Sequence, residues 1–536
     1  MNDVSEFDCI VVGSGASGAT AAQTLVERGA RVLMLDAGFY DAEYAPIIPR
    51  KSFVEIRRSE RDQYRYLLGE RFESAVYRTV STGAQLTPPR QFIVDRVTEL
   101  LPVRSESFEP LESLALGGLA AGWGLMCGVY CDAEMQRASL PVPAMRAAYQ
   151  TICDRIGISG APDDARRHTV GELERVQPPP PLDATAALLA ANYRNRRDRI
   201  NALGYVLGRP ALALLTQSKD DRDATQLRDM DFYCDDGAAW RPATVVATLR
   251  RNPNFAYCGG SLVIRFQERA DGIGITALDL NEGAPREYRC RRLVLAAGVL
   301  GTARIVLRSC APKARVPLLC NDYTYLPCLV PQRVGRAMAE RAYSLTQLVL
   351  FNERGSDDVA VGTIYSYRSL MLFRLLREMP LDVRDARIVM QYLLSGFVIA
   401  GFDHPQERSD HKQVWLERDD PSPTTDRLAI AYALNDTERR NHRLRERGFA
   451  RALRALGAWP IRRVHPPLGA SIHYAGTLPF ADDERALTLA RDGRLHGTRN
   501  VFVADASGFT FLPAKPVTLS LMGNAHRVAA RALELR

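Results

Sequence analysis

The sequence predicts an α/β protein on three observations. A short apolar strand, Cys9-Ile10-Val11-Val12, runs directly into a glycine turn and a helical stretch from Ala19 to Arg28. A second apolar strand, Arg31 to Leu35, ends on an acid, Asp36. A third apolar run, Val294 to Ala297, repeats the order of strand, glycine and helix through Gly298 to Leu307. Strands alternating with helices in this way build a parallel sheet covered by helices.

The first turn reads Gly13-Ser14-Gly15-Ala16-Ser17-Gly18. Gly13 permits the tight turn, Gly15 lets backbone approach a pyrophosphate, and Gly18 allows the helix to pack closely on the strand. The helix that follows presents free N–H groups and its positive dipole end to phosphate. Asp36 lies 23 positions past Gly13 and is followed by Ala37. At that distance a carboxylate accepts hydrogen bonds from ribose hydroxyls, so the unit is predicted to hold a dinucleotide.

Composition narrows the function classes. The chain has 536 residues, 46% hydrophobic and 25% charged, which suits a large soluble enzyme with a sizeable core. Its net charge of +8 is spread along the sequence, and no zinc spacing or aromatic-basic module appears, so no nucleic-acid partner and no metal is expected. The ten cysteines show no paired C-x-x-C spacing and are read as reduced thiols of a cytoplasmic protein. No charged segment with an apolar core precedes the first strand, so no secretory signal is expected.

Further motifs stand far from the first. Residues 116–124 read Leu116-Gly117-Gly118-Leu119-Ala120-Ala121-Gly122-Trp123-Gly124, and the Ala296-Ala297-Gly298 turn follows much later. Near the C-terminus come Ser471-Ile472-His473-Tyr474-Ala475-Gly476-Thr477, then the strand and acid Val501-Phe502-Val503-Ala504-Asp505-Ala506-Ser507, and a small-residue helix from Thr518 to Arg536. In this order and at these distances the set resembles the glucose-methanol-choline (GMC) family of flavin oxidoreductases. The resemblance covers nearly the whole chain and is weakest at residues 40–105 and 315–465.

That resemblance implies a Rossmann-like FAD-binding domain interleaved with an α+β substrate-binding domain. The first would comprise residues 1–40, 105–135, 230–312 and 466–536. The second, with connecting segments, would comprise 41–104, 136–229 and 313–465. The family places Gly117, Gly118, Gly122, Trp123 and Gly124 against the isoalloxazine. It places Ala297 and Gly298 at the turn that closes the dinucleotide domain, and Asp505 and Ala506 near the pyrophosphate and ribityl chain. Val263, in the strand Ser261-Leu262-Val263-Ile264, stands where backbone meets adenine. No histidine precedes His168, so the covalent histidyl linkage of some members is not expected. Cys127 and Cys131 follow the flavin loop closely and are read as inert thiols. Noncovalent FAD is the expectation.

The activity implied is oxidation of an alcohol to an aldehyde or ketone, with hydride passing to flavin N5. His473 is the expected base, since a neutral imidazole near a flavin can accept the hydroxyl proton. Sugars, cyclitols, lipid-linked glycosides and secondary-metabolite alcohols all fit as substrate, and dioxygen or another acceptor could reoxidise the flavin. One departure matters. The family supplies a second histidine or asparagine about forty residues after the first; here the register falls on Pro516, or on Lys515 after a slip of one. Proline offers no donor, whereas Lys515 could stabilise an alkoxide. The missing partner keeps open a lyase of the same fold; a nonenzymatic flavin-binding or membrane-associated protein is a third reading, against which the retained H-x-x-G-T motif argues.

The remaining elements follow from helix signals. Residues 141–160 read as a helix ended by Gly157 to Gly160, and the prolines 178–181 lead into a helix from Asp183 to Leu203. Asn435 or Asp436 caps a basic helix that runs to Leu456 and stops at Gly457. Residues 369–402 read as a core helix followed by a buried strand, or as an amphipathic entrance touching a membrane surface. Its longest uncharged stretch, Ile388 to Phe402, is too short to span a bilayer.

Overall fold

A computed structural model describes residues 7–49, 51, 56, 59–67, 69–70, 88–226, 237–336, 345–353, 359–366, 380–418, 424 and 426–534. Its first layer is a five-stranded sheet in the order Val501–Val503, Arg292–Leu295, Cys9–Val12, Val32–Leu35 and Phe255–Cys258. Every pairing in it is parallel. Val12 stands level with both Leu35 and Leu295, and Leu295 with Val503. The carboxyl ends of four strands therefore align, which is where an open α/β sheet binds ligands.

Helices Ala16–Glu27 and Thr518–Glu534 cover one face of this sheet. Ala19, Ala22 and Leu25 from the first meet Ala525, Val528 and Ala529 from the second, together with Val11, Val32, Met34 and Phe502. Small residues on both helices let them lie close to each other. Helix Val142–Ile156, stopped by Gly157 at φ +74°, packs against the C-terminal helix.

A second, six-stranded sheet is wholly antiparallel. Its order is Trp459–Pro460, Asp322–Leu329, Phe397–His404, Ala360–Ser366, Leu348–Asn352 and Tyr205–Gly208. One face is apolar: Leu326, Cys328, Val398, Ala400, Phe402 and Ile364 pack under helix Asp436–Leu456 through Phe449, Leu453 and Leu456. That helix has the expected caps. Asn435 and Glu438 form a capping box, and Gly457 closes the helix at φ +95°.

Two expectations meet a different outcome in detail. The stretch from Asp183 to Leu203 is two helices, Ala184–Asn195 and Arg197–Ala202, broken at Arg196. Asp183 caps the first by accepting from the N–H groups of Thr185 and Ala186. Within residues 369–402, those from 369 to 379 lie outside the described residues; beyond them come helix Val383–Leu393 and the fully buried strand Phe397–His404. Among the described residues no helix is long and apolar enough to cross a membrane.

Candidate active site

A cavity of about 760 Å³ joins the carboxyl edge of the parallel sheet to one face of the antiparallel sheet. At the first end the glycines are constrained by close approach. A Cβ on Gly18 would sit 1.9 Å from the Gly13 carbonyl oxygen, and one on Gly13, at φ +96°, 2.6 Å from that of Ala296. The Gly117-Gly118 turn folds onto the first turn: Gly117 N–H donates to Ser14 Oγ at 2.9 Å, and a Cβ on Gly118 would meet Gly15 Cα at 3.4 Å. Two distant glycine segments thus form one backbone cradle, which side chains could not enter.

Asp36 lies in this cradle, buried, and accepts from the Ser14 N–H and hydroxyl and from Tyr257 Oη at 3.0 Å. Burial pushes its carboxyl up to about 6, against the pull of those bonds. Asp505 ends the Val501–Val503 strand and is held by Thr302 Oγ1 at 2.6 Å and by the N–H and hydroxyl of Ser507. Ala16, Ser17, Ala37, Gly122, Trp123, Gly124, Val263, Ala297, Gly298 and Ala506 also line the cavity. Trp123 is braced by Trp240, whose carbonyl accepts its indole N–H at 3.1 Å. Trp240 carried no recognisable signal in the sequence.

His473 lines the same cavity. It follows Ile472, a non-glycine residue held at φ +59°, a conformation that costs energy and persists only where surroundings enforce it. The ladder beside it pairs Tyr474–Ala475 with Leu319–Cys320 and so brings Asn321 opposite His473. Nδ1 of His473 lies 3.2 Å from Asn321 Oδ1. Asn321 Nδ2 donates to the carbonyls of His404 and Pro513, which sets the amide orientation. Nδ1 is therefore the protonated nitrogen, and Nε2 carries the lone pair. Burial lowers the imidazole to about 4.

Lys515 does not reach this cavity. It is fully buried on the far side of the chain, where Nζ donates to Glu134 Oε2 at 2.6 Å and to the Val129 carbonyl at 3.1 Å. Its neighbour Pro516 lines the cavity instead. The chain bends between strand Phe511–Leu512 and helix Thr518–Glu534, and there a buried carboxylate claims the lysine. The group beside the proposed base is Asn321, which lies 152 residues upstream in sequence and belongs to no recognisable motif.

Residues 425–525 match the family model described as GMC oxidoreductase, and residues 11–39 match that of an NAD(P)-binding Rossmann-like domain. The chain thus carries the C-terminal domain of the GMC oxidoreductases. It is similar to paromamine 6'-oxidase of Streptomyces fradiae, at 24% identity over 98% of this chain and 91% of the relative. It is also similar to 6'''-hydroxyparomomycin C oxidase of Streptomyces lividus, at 28% identity over 57% of this chain and 50% of the relative. Its fold matches that of pyridoxine 4-oxidase from Mesorbium loti with a TM-score of 0.56, 15% identity and 99% and 100% of the two chains covered. The GMC and Rossmann-like matches imply a flavin or dinucleotide cofactor. The residues fit one: an extended group can lie where the glycine cradle admits only backbone, between two buried aspartates. No described group of three or more histidine, cysteine, aspartate or glutamate side chains could hold a metal ion.

Proposed function

We propose that this protein is an FAD-dependent enzyme that oxidises a CH–OH group of a sugar or aminocyclitol to the carbonyl. The observation that carries the reading is the neutral imidazole of His473, with its lone pair on Nε2, in the cavity that begins at the glycine cradle. The names of the relatives support the substrate class, and both being oxidases makes dioxygen the acceptor to test first.

FAD would be held without a covalent bond. Gly13, Gly15 and Gly18 would take the pyrophosphate, Asp36 and Ala37 the adenosine ribose, and Val263 the adenine. Gly117 to Gly124 would lie against the ring, with Ala297, Gly298, Asp505 and Ala506 along the remaining chain. Cys127 is buried outside the cavity lining and its thiol is pushed well up by desolvation, so it is a poor nucleophile. When bound, FAD supplies the hydride acceptor.

The chain's own residues manage the proton. Nε2 of His473 accepts it from the substrate hydroxyl. Asn321 Oδ1 holds the Nδ1–H, keeps the ring in the required tautomer, and favours the imidazolium once formed. Burial keeps the ring neutral at pH 7. Purified protein should be yellow, acid precipitation should release all the colour, and paromamine should bleach the flavin anaerobically. Colour retained in the pellet would refute noncovalent binding. A flavin that no alcohol bleaches would refute the oxidation.

A further inference from the structure

Side chains alternate along the strand Phe397–His404. Val398, Ala400 and Phe402 enter the core beneath helix Asp436–Leu456, while Ile399 and Asp403 line the cavity. The neighbouring strands follow the same alternation and add Tyr323, Tyr325, Thr363 and Tyr365 to the lining. The wall opposite the cradle is thus tyrosine-rich, with one carboxyl set into it.

Asp403 is 5% exposed and its Oδ1 has no hydrogen-bond partner. Its cross-strand neighbours are Tyr323 and Val361. Tyr323 leans away over Gly401, where a Cβ would stand 1.8 Å from its hydroxyl, and bonds Thr363. The charged neighbour that acts on Asp403 is Asp322, of like sign. Of the arginines that line the cavity, Arg304 is matched by Glu112 and Arg308 by Asp426, Arg241 donates to the Trp123 carbonyl, and neither these nor Arg90 and Arg462 act on Asp403. Burial and Asp322 together hold the Asp403 carboxyl well above the usual range. A buried carboxyl with neither donor nor cation is costly, and the cavity leaves the remedy to a ligand.

We propose that Asp403 is a subsite for a primary ammonium group on the substrate and selects amino-bearing alcohols over their hydroxyl counterparts. This rests on the reading above. An ammonium brings three donors and the missing positive charge together, and the tyrosines of the same wall add apolar ring surface and hydroxyls to the lining. The subsite is tied to the reacting position. Asn321, which holds His473, donates to the carbonyl of His404, the residue after Asp403. A neutral polyol would leave the carboxyl without a cation, whereas an ammonium would favour its ionised form and complete the pair.

The test is binding of two probes to the flavin-loaded protein by calorimetry: paromamine, and the congener in which hydroxyls replace all its amines. The native protein should bind paromamine roughly thirtyfold or more tightly than the congener, the factor expected of a buried charge pair. Asp403→Asn, checked for folding by retained flavin colour, should bring the two affinities near parity. Equal affinities in the native protein, or full preference retained by Asp403→Asn, would overturn the subsite. If the variant does not fold, the native comparison alone decides. Asp403-dependent binding of paromamine without flavin bleaching would instead sink the oxidation and leave the subsite standing.

Discussion

The two sheets that meet at the cavity present ligands with opposite kinds of surface. The parallel sheet offers the ends of its strands: Gly13, Asp36, Ala296 and Asp505 sit where four buried strands stop. The antiparallel sheet offers a face, on which every second residue of three strands points at the cavity and the others build a core. An edge of turns and free N–H groups is generic and suits a phosphate-bearing cofactor shared by many proteins. A face of alternating side chains can be changed one residue at a time, so substrate preference belongs there. Cofactor binding and substrate choice should therefore be separable by mutation.

The largest expected effect falls at the junction. His473→Ala should still bind FAD but slow flavin reduction by roughly a hundredfold to ten-thousandfold, read by anaerobic stopped flow. In the parent enzyme the base works only when neutral, and burial sets its titration near 4. The reduction rate should therefore rise with pH through about 4 and level off above, and the variant should lack that limb. Reduction at the parental rate by His473→Ala would end the proposed mechanism.

Next in size is the cradle. Gly18→Ala places a methyl group 1.9 Å from the Gly13 carbonyl oxygen. The turn must open, and at roughly 1–3 kcal/mol for such overpacking FAD affinity should fall about tenfold to a hundredfold. The observable is flavin retained on equilibrium dialysis. Affinity equal to the parent's would show that the turn yields more easily than its backbone contacts imply.

Asn321→Ala should act through His473 by removing the acceptor of Nδ1–H. The loss of a hydrogen bond to a group that becomes charged is worth about 1.5–3 kcal/mol, so reduction should slow by roughly tenfold to a hundredfold. Its signature is a downward shift of the acidic limb, because the imidazolium loses a stabilising partner. A slower rate with an unmoved limb would make Asn321 a packing residue only.

The smallest kinetic effect is expected at Lys515. Lys515→Met should leave the rate of flavin reduction unchanged, since the ammonium lies outside the cavity and bonds Glu134. Stability should fall by about 3–5 kcal/mol, the cost of a buried carboxylate left unpaired, and adding Glu134→Gln should restore part of it. Chemical denaturation of the two variants measures this. A slowed reduction would return Lys515 to the list of catalytic candidates.

What could be read in advance divides along the same line as the two sheets. The βαβ unit from Cys9 to Asp36 is contiguous, and its glycines, helix and acid stand at separations that backbone geometry dictates. Likewise Asn435 to Gly457 carries its own caps, so the helix was legible with both of its ends. Local contacts leave local patterns.

His473 was legible because small residues surround it in sequence. Its partner was not, because Asn321 reaches it through a two-residue ladder between segments that are far apart in the chain. Lys515 misled for the related reason that sequence register does not say which way a side chain points. Glu134 does, from a helix 381 positions away.

The sequence by itself determined the α/β class, the dinucleotide-type turn with its acid, and the candidate base. Each is written in residues close enough to contact one another along the chain. Tertiary structure alone decided that Asn321 faces the base, that Lys515 is spent on an ion pair, and that Asp403 stands uncompensated in a wall of tyrosines. Those outcomes depend on which strands pair and in what register, and a shift of one residue would turn each side chain to the opposite face.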